Sequence, residues 1–314
     1  MSHDCNKPLD FALDLDFREI LTNPFLDIAA RVWEADRYGA FQVCYRSMRR
    51  IDDLVDDRKI AGGRITSDEA AVYRRRLDNW LEGVRARRTG ERFQKQFVDT
   101  LERFGIPFWP WERLCRAMIY DLEHDGFRNV AAFLRYAEGA AIAPAAVFMH
   151  LCGVSRASER WRPPGFDIRK AARPLALYSY LVHIIRDFQK DQLRGLNYFA
   201  DDLLTRYRLT VADLRRVAEG GAASDAVRAL IGHYHGLTAR YRDEAVRTVE
   251  EVMPQMEPRY QLSVQIIYSL YSLVFERVDP ARGNFTSAEL NPPPEMVQER
   301  LQETVAGFRP RKAG

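Results

Sequence analysis

Cysteine, glycine and proline are scarce in this chain. Of its 314 residues, only four are cysteine, 18 are glycine and 15 are proline. The cysteines, Cys5, Cys44, Cys115 and Cys152, form no Cys-x-x-Cys pair, which excludes a disulfide scaffold and a cysteine zinc site and predicts reduced thiols. The first ten residues lack a signal-sequence pattern. No run approaches the roughly 20 apolar residues that span a bilayer. We therefore expect a cytoplasmic protein without a transmembrane segment.

A strong charge of either sign is also missing. The 47 basic and 44 acidic residues leave a net charge of +3, which predicts no nucleic-acid partner. Hydrophobic residues make up 46% of the chain, enough for a sizeable core. Ligand binding must therefore be argued from local clusters of charge.

Apolar residues recur three and four positions apart, which predicts an all-α protein with one large helical domain. We expect an N-terminal extension over 1–20, the helical domain over 21–280, and a loosely packed C-terminal tail over 281–314. Glycine and proline fall mostly between the periodic segments. The predicted helices are Pro24–Arg58, Ser67–Arg87, Arg92–Phe104, Pro110–Asp125, Val130–Gly153, Ile168–Asp191, Val211–Glu219, Ser224–Val252 and Arg259–Val278.

The first chemically informative segment is Tyr45–Asp57. Asp52 and Asp56 are four residues apart, as are Asp53 and Asp57, so each pair shares a helix face. Acids this close repel one another, and Mg²⁺ is a suitable counter-charge because it binds carboxylates together with substrate phosphates. Arg46 and Arg49 precede the acids and are suited to diphosphate oxygens. An acidic helix end with surface ion pairs is the alternative interpretation.

The second informative segment runs from His183 to Asp191. Asp187 and Asp191 repeat the four-residue spacing, and Arg186 stands beside the first acid. Two such motifs about 135 residues apart are less expected by chance than either alone. Facing each other across a helix bundle, they would hold Mg²⁺ and a diphosphate. Metal ions and arginines neutralise that leaving group as its carbon–oxygen bond breaks, and an apolar pocket then shields the prenyl cation from water.

These residues resemble the squalene/phytoene synthase family. The two aspartate motifs, the Arg194-Gly-Leu-Asn-Tyr198 loop, Asp121 with Tyr136-Ala-Glu-Gly139, and the final helix around Tyr271 occur in the family's order. The resemblance implies an isoprenoid synthase fold, with a central cavity between two facing Asp-rich helices. It also implies head-to-head condensation of two prenyl diphosphates through a cyclopropyl diphosphate.

The resemblance implies roles for individual residues. The metal ligands would be Asp52, Asp56, Asp187 and Asp191, with Asp53 and His183 as further candidates. The catalytic set would be Tyr45, Tyr136, Arg49, Arg186 and Tyr198, where Tyr198 closes over the reactive centre. The diphosphate would be bound by Arg46, Arg49, Arg186, Lys190 and Arg194.

Small residues follow Tyr136 along its helix. Gly139, Ala140 and Ala143 leave room beside the helix for a prenyl chain, with Tyr271 as a further cavity residue, and Pro144 is expected to bend the helix. Close helix–helix packing is the alternative explanation of the same small residues.

The second motif departs from the family pattern. His183 stands where the family has asparagine, Lys190 where it has glutamate, and Tyr180 where it has glutamine. Mg²⁺ prefers oxygen ligands, and a charged lysine cannot bind a metal. These changes leave the number of metals open and suggest that Lys190 contributes its charge to the diphosphate instead. The family's N-terminal serine motif is also weak here, at Thr22–Phe25.

The predicted function is squalene synthesis from two farnesyl diphosphates, with Mg²⁺ and NADPH, and with peripheral membrane contact for product release left open. The alternatives are formation of dehydrosqualene or phytoene without a reductant, and cyclisation of a single diphosphate. A non-catalytic assembly protein with the same fold is the alternative from another class.

Overall fold

The computed structural model of the chain describes residues 24–63, 65–88, 90–157 and 160–312. The proposed extension over 1–20, Cys5, Thr22 and Asn23 lie outside these residues. The helices are α1 Pro24–Ala30, α2 Ala35–Ile60, α3 Ser67–Arg85, α4 Arg92–Phe104, α5 Trp109–Glu123, α6 Val130–Ala137, α7 Ala143–Gly153, α8 Ile168–Arg186, α9 Phe188–Leu193, α10 Asp201–Arg206, α11 Val211–Ala218, α12 Asp225–Val252, α13 Pro258–Phe275, α14 Ser287–Leu290 and α15 Pro294–Gly307.

Helix α8 is the central element of the bundle. It packs against α7, α12 and α13, and the side chain of Asp167 caps its start by accepting hydrogen bonds from two backbone N–H groups. Helix α2 packs against α5 and α7. The only strands in the described part of the chain form a short antiparallel hairpin of β1 Ser155–Ala157 and β2 Arg160–Arg162. The prediction of an all-α fold is confirmed.

Two predicted helices are each two helices in the structure. The segment Pro24–Arg58 breaks after Ala30, and α2 begins after Glu34, whose backbone is extended. The segment Ile168–Asp191 divides at Asp187, which ends α8 and precedes α9. The second pair of acids therefore spans a helix junction, although the N–H of Asp191 still donates to the Asp187 carbonyl at 2.8 Å.

The predicted helix Val130–Gly153 is interrupted by a π-helical turn, Glu138–Ile142, between α6 and α7. Pro144 lies two residues after this turn and has no N–H to donate to it, so the predicted irregularity lies just before the proline. The whole run is long and apolar enough to cross a membrane by length and composition alone, contrary to our expectation. The same criterion is met by core helices, and this run packs against α5 and α8.

The prediction of a loosely packed tail after Val278 is wrong. Helix α15 packs against α13 and buries Leu301 and Phe308. Thr304 donates a hydrogen bond to Ser269 at 2.7 Å across this contact. Proline at the first turn of a helix is a start signal, and Pro294 occupies that position in α15.

Candidate active site

One cavity of about 360 Å³ reaches both aspartate motifs. Helix α2 buries one face in the core, and the adjacent face carries its acids to the cavity. The buried face consists of apolar residues spaced three and four apart, namely Phe41, Cys44, Met48, Ile51 and Val55. The predicted site residues that line the cavity are Tyr45, Arg49, Asp52, Asp56, Tyr136, Ala140, His183, Arg186, Asp187, Lys190, Asp191, Arg194, Tyr198 and Tyr271.

At the first motif, acids outnumber the cations beside them. Arg49 forms ion pairs with Asp52 and Asp53. Burial, together with the charge of Asp56, raises the pKa of Asp52 to about 7. Burial and the charge of Asp121 raise the pKa of Asp56 as well. Four ionised carboxylates (Asp52, Asp53, Asp56 and Asp121) would repel one another here, so the site favours binding of protons or of additional cations.

A buried hydrogen-bonded group lies beside the first motif. The Tyr136 hydroxyl donates to Asp121 Oδ2 at 2.5 Å, and Lys59 Nζ lies 3.4 Å from Asp121 Oδ1. Burial and the neighbouring Asp121 carboxylate raise the pKa of Tyr136, so its hydroxyl stays protonated at neutral pH. This group fixes the position of the Tyr136 ring at the cavity wall.

The second motif has a different arrangement, because its first acid is surrounded by cations and donors. Asp187 Oδ1 accepts from Arg186 Nε at 2.7 Å. Asp187 Oδ2 lies 3.2 Å from His183 Nε2 and 3.3 Å from Lys190 Nζ. Although burial alone would raise it, the pKa of Asp187 is lowered by the hydrogen bond from His183 and by the charge and hydrogen bond of Arg186. Asp187 is therefore ionised.

The pKa of Asp191, the second acid of this motif, is shifted in the opposite direction from that of Asp187. Burial and the charge of Asp187 raise the pKa of Asp191 to about 7, and Asp56 on α2 contributes to the same shift. Asp52, Asp56, Asp187 and Asp191 all line the same cavity, so the two motifs face one another there. The four predicted acids thus lie around one cavity.

His183 is held by hydrogen bonds through both ring nitrogens. Arg186 Nη2 lies 3.1 Å from His183 Nδ1, and a guanidinium can only donate, so Nδ1 is the acceptor. Nε2 then carries the hydrogen and donates to Asp187. Burial and the charge of Arg186 lower the pKa of His183, in agreement with a neutral ring. Neither nitrogen is available to a metal in this geometry.

Apolar side chains form the remaining wall of the cavity. Gly139 and Ala143, predicted to line it, do not: a Cβ on Gly139 would lie 2.2 Å from the Arg113 carbonyl oxygen, and Ala143 is fully buried in packing. The one-residue offset of the π-helical turn places other small residues toward the cavity. The apolar wall includes Leu114, Ala140, Ala141, Ala145, Phe148 and Ile267.

Two other predicted residues lie away from the cavity. Arg46 is exposed and does not line it, and Asp53 pairs with Arg49 outside it. Our sequence analysis missed Lys59 and Ser179. The position of Lys59, three residues after Asp56, could have indicated that it lies near the first motif. Its pairing with Asp121 could not be predicted in this way, because Asp121 lies on another helix. The hydroxyl of Ser179 lines the cavity and is buried without a hydrogen-bond partner, as is Arg49 Nε.

The first motif fits Mg²⁺ that arrives together with a phosphate ligand. In the described part of the chain, no three His, Cys, Asp or Glu side chains lie together in a ready-made metal site. Mg²⁺ usually takes one or two protein carboxylates and completes its shell with water and substrate phosphates. Asp52 and Asp56, with raised pKa values and the unpartnered Arg49 Nε nearby, match that requirement.

The sequence model of the squalene/phytoene synthase family matches residues 28–297, so the chain belongs to that family, whose members are prenyltransferases. The chain is 26% identical over 252 residues to a chloroplastic phytoene synthase 3 of Zea mays, covering 80% of this chain and 55% of the relative. It is 26% identical over 182 residues to the chloroplastic phytoene synthase of Narcissus pseudonarcissus, covering 57% and 40%. The chain spans about half the length of these curated relatives.

Solved structures agree on the fold. A dehydrosqualene synthase in complex with a ligand superposes with a TM-score of 0.66 at 14% identity, covering 91% of this chain and 92% of that one. A squalene synthase of Alicyclobacillus acidocaldarius superposes with a TM-score of 0.54 at 16% identity, covering 79% and 98%. The predicted family and the isoprenoid synthase fold are both confirmed.

Proposed function

We propose that this protein joins two prenyl diphosphates head to head. The observation that carries the proposal is the cavity that both motifs line, whose lining divides into charged residues (acids, arginines and a lysine) and apolar side chains. A prenyl diphosphate has the same division between a charged group and a hydrocarbon chain. Membership of the prenyltransferase family supports the same reaction class.

At the charged side, the chain's residues would bind and orient the diphosphates. Arg49 and Arg186 are both partly buried, so their donors act in a medium where ionic hydrogen bonds are strengthened. Asp52 and Asp56 would hold Mg²⁺. When bound, Mg²⁺ neutralises the charge that develops on the departing diphosphate.

At the apolar side, the wall would exclude water from the carbocation. Tyr136 would stabilise the passing cation through its ring, which packs 5.0 Å, centroid to centroid, from Phe127. Tyr198 would shield the reactive carbon from water. Its ring lines the cavity and lies 6.3 Å, centroid to centroid, from the ring of Tyr180. Tyr45 and Tyr271 would complete the aromatic lining.

The specific product remains part of the proposal. Squalene, formed from two farnesyl diphosphates with NADPH, is the first candidate. A product formed without a reductant is the second, and it is favoured by relatives named phytoene synthase and by a structural neighbour named dehydrosqualene synthase. We propose Mg²⁺ in either case, whereas NADPH is specific to the first.

The test is incubation of the purified protein with radiolabelled farnesyl or geranylgeranyl diphosphate and Mg²⁺, with and without NADPH, followed by gas chromatography. A product with twice the carbon number of its substrate supports head-to-head condensation. The NADPH arm separates squalene from dehydrosqualene. Only cyclic products from one diphosphate, or no consumption of either substrate, would reject the proposal.

The location of the protein stays a prediction. Sequence features favoured a cytoplasmic protein with membrane contact for product release left open, whereas the curated relatives named above are chloroplastic. Fractionation of cells that express the native chain would decide between a free and a membrane-bound pool.

A further inference from the structure

The carboxylate of Asp187 already has three donors from its own helices. Arg186 donates to Oδ1, while His183 and Lys190 lie within hydrogen-bonding distance of Oδ2. An ionised carboxylate offers about four acceptor sites, so three of them are occupied. A metal bound here would have to displace donors that are held in place, and His183 has no free nitrogen to offer in exchange.

The same region has more cations than acids at the cavity. Helices α8 and α9 and the residue that follows present Arg186, Lys190 and Arg194 to it, against the two carboxylates of Asp187 and Asp191. Asp187 uses only one donor of Lys190 and one of Arg186. An ammonium has three donors and a guanidinium five, so most remain available to a second ligand. Lys190 is also half exposed and lines the cavity.

We propose that the second motif binds a diphosphate directly through Arg186, Lys190 and Arg194, without a metal bridge, and that Asp187 and His183 are positioning residues that hold these cations in place. The inference rests on the proposed function, because it names how one of the two substrates is held. Only the first motif then needs Mg²⁺, since there Arg49 pairs with both Asp52 and Asp53, and Lys59 is engaged by Asp121.

The test measures binding, not turnover. Isothermal titration calorimetry of the full chain with inorganic pyrophosphate in EDTA reports the metal-free site. Electron paramagnetic resonance of Mn²⁺, with pyrophosphate present, counts metals per chain. The variants are Lys190→Gln, Asp187→Asn and Asp52→Asn, with Lys170→Gln as the matched control, because Lys170 is exposed on α8 and does not line the cavity.

We expect the wild type to bind pyrophosphate in EDTA. Lys190→Gln should weaken this binding about tenfold, the value of one charge-assisted hydrogen bond, while Lys170→Gln should leave it unchanged. Asp187→Asn should weaken it several-fold, because Arg186 and Lys190 lose the carboxylate that holds them in place, and should keep the full Mn²⁺ count. Asp52→Asn should lose Mn²⁺ and keep metal-free binding.

Three results would overturn the inference: no pyrophosphate binding by the wild type in EDTA, an unchanged dissociation constant in Lys190→Gln, or a loss of Mn²⁺ in Asp187→Asn equal to that in Asp52→Asn. If Asp187→Asn fails to fold, the Lys190→Gln comparison still decides, because that side chain is half exposed. Condensation is assayed separately, so absence of turnover would reject the proposed function while these binding data still test the inference.

Discussion

The two aspartate motifs share a spacing but differ in charge balance. On α2, a single arginine pairs with Asp52 and Asp53, and the pKa of Asp52 rises to about 7 through burial and the nearby acids. At the α8–α9 junction, Asp187 is surrounded by Arg186, His183 and Lys190, and its pKa falls. The comparison teaches that an Asp-x-x-x-Asp pattern does not define a metal site until the neighbouring charges are counted.

The largest effect is expected from removing one acid of each motif in turn. Asp52→Asn should lower kcat/KM by about 10²–10³-fold, as for loss of other preorganised electrostatic groups, because it removes a proposed Mg²⁺ ligand. Asp187→Asn should lower it by only about tenfold, since it disorders cations without removing a metal. Steady-state kinetics with farnesyl diphosphate measures both, and circular dichroism checks that the helices remain. Equal losses would mean that both motifs play the same part.

A second pair of variants leaves both motifs intact and tests the apolar wall. Ala145→Phe should lower turnover with farnesyl diphosphate by more than about tenfold, because Ala145 lines the cavity and the larger side chain would occupy space that the prenyl chain needs. The melting temperature should change little. Ala143→Phe should instead destabilise the fold by about 1–3 kcal/mol or more, because Ala143 is fully buried in packing. Thermal melts and rates per folded molecule separate the two effects. Loss of stability in both would contradict the cavity assignment.

The third prediction converts the second motif toward the first. Lys190→Glu should weaken substrate binding about tenfold and raise the Mg²⁺ requirement, since it removes a cation before a metal is recruited. Adding His183→Asn should recover part of the loss, because two oxygen ligands would then be present. A Mg²⁺ titration of the wild type, both single variants and the double variant measures this coupling. Strict additivity would show that the two positions act independently.

The smallest effect concerns pH. The pKa values of Asp52 and Asp191 are raised from the ordinary 3.8 to about 7, so the folded state binds protons more tightly than the unfolded state. In metal-free buffer the free energy of unfolding therefore decreases as the pH rises from about 4 to about 7. Mg²⁺ needs the ionised carboxylates, so the stabilisation that it provides should be larger near pH 8 than near pH 6.

Differential scanning fluorimetry with and without Mg²⁺ measures this difference, which we expect to be a few degrees. Asp52→Asn is the control and should lose most of the Mg²⁺ effect at both pH values. A Mg²⁺ shift that does not depend on pH in the wild type would show that Asp52 does not take part in metal binding.

The sequence alone determined the helical class, the family and the residues of the two motifs, because each depends on local spacing. Apolar residues three and four apart specify helices, and acids four apart share a face whatever the helix packs against. Helix boundaries were predicted incorrectly where the sequence carries no local signal for a break or where we overlooked the signal that is present. The break between α1 and α2 has no glycine or proline to mark it, whereas the start of α15 carried a proline signal that we interpreted as part of a loosely packed tail.

Only the tertiary structure decided which side chains face the cavity and which charges they meet there. Gly139 lies within the π-helical turn Glu138–Ile142 and packs against Arg113, and Ala143 directly after the turn is fully buried, while Ala140 and Ala145 line the wall. The partner of Lys59 is Asp121, which lies 62 residues away in the chain on another helix, and no local pattern reveals this pairing. The pKa of a carboxyl likewise depends on burial and on charges from several helices, and these exist only once the chain has folded.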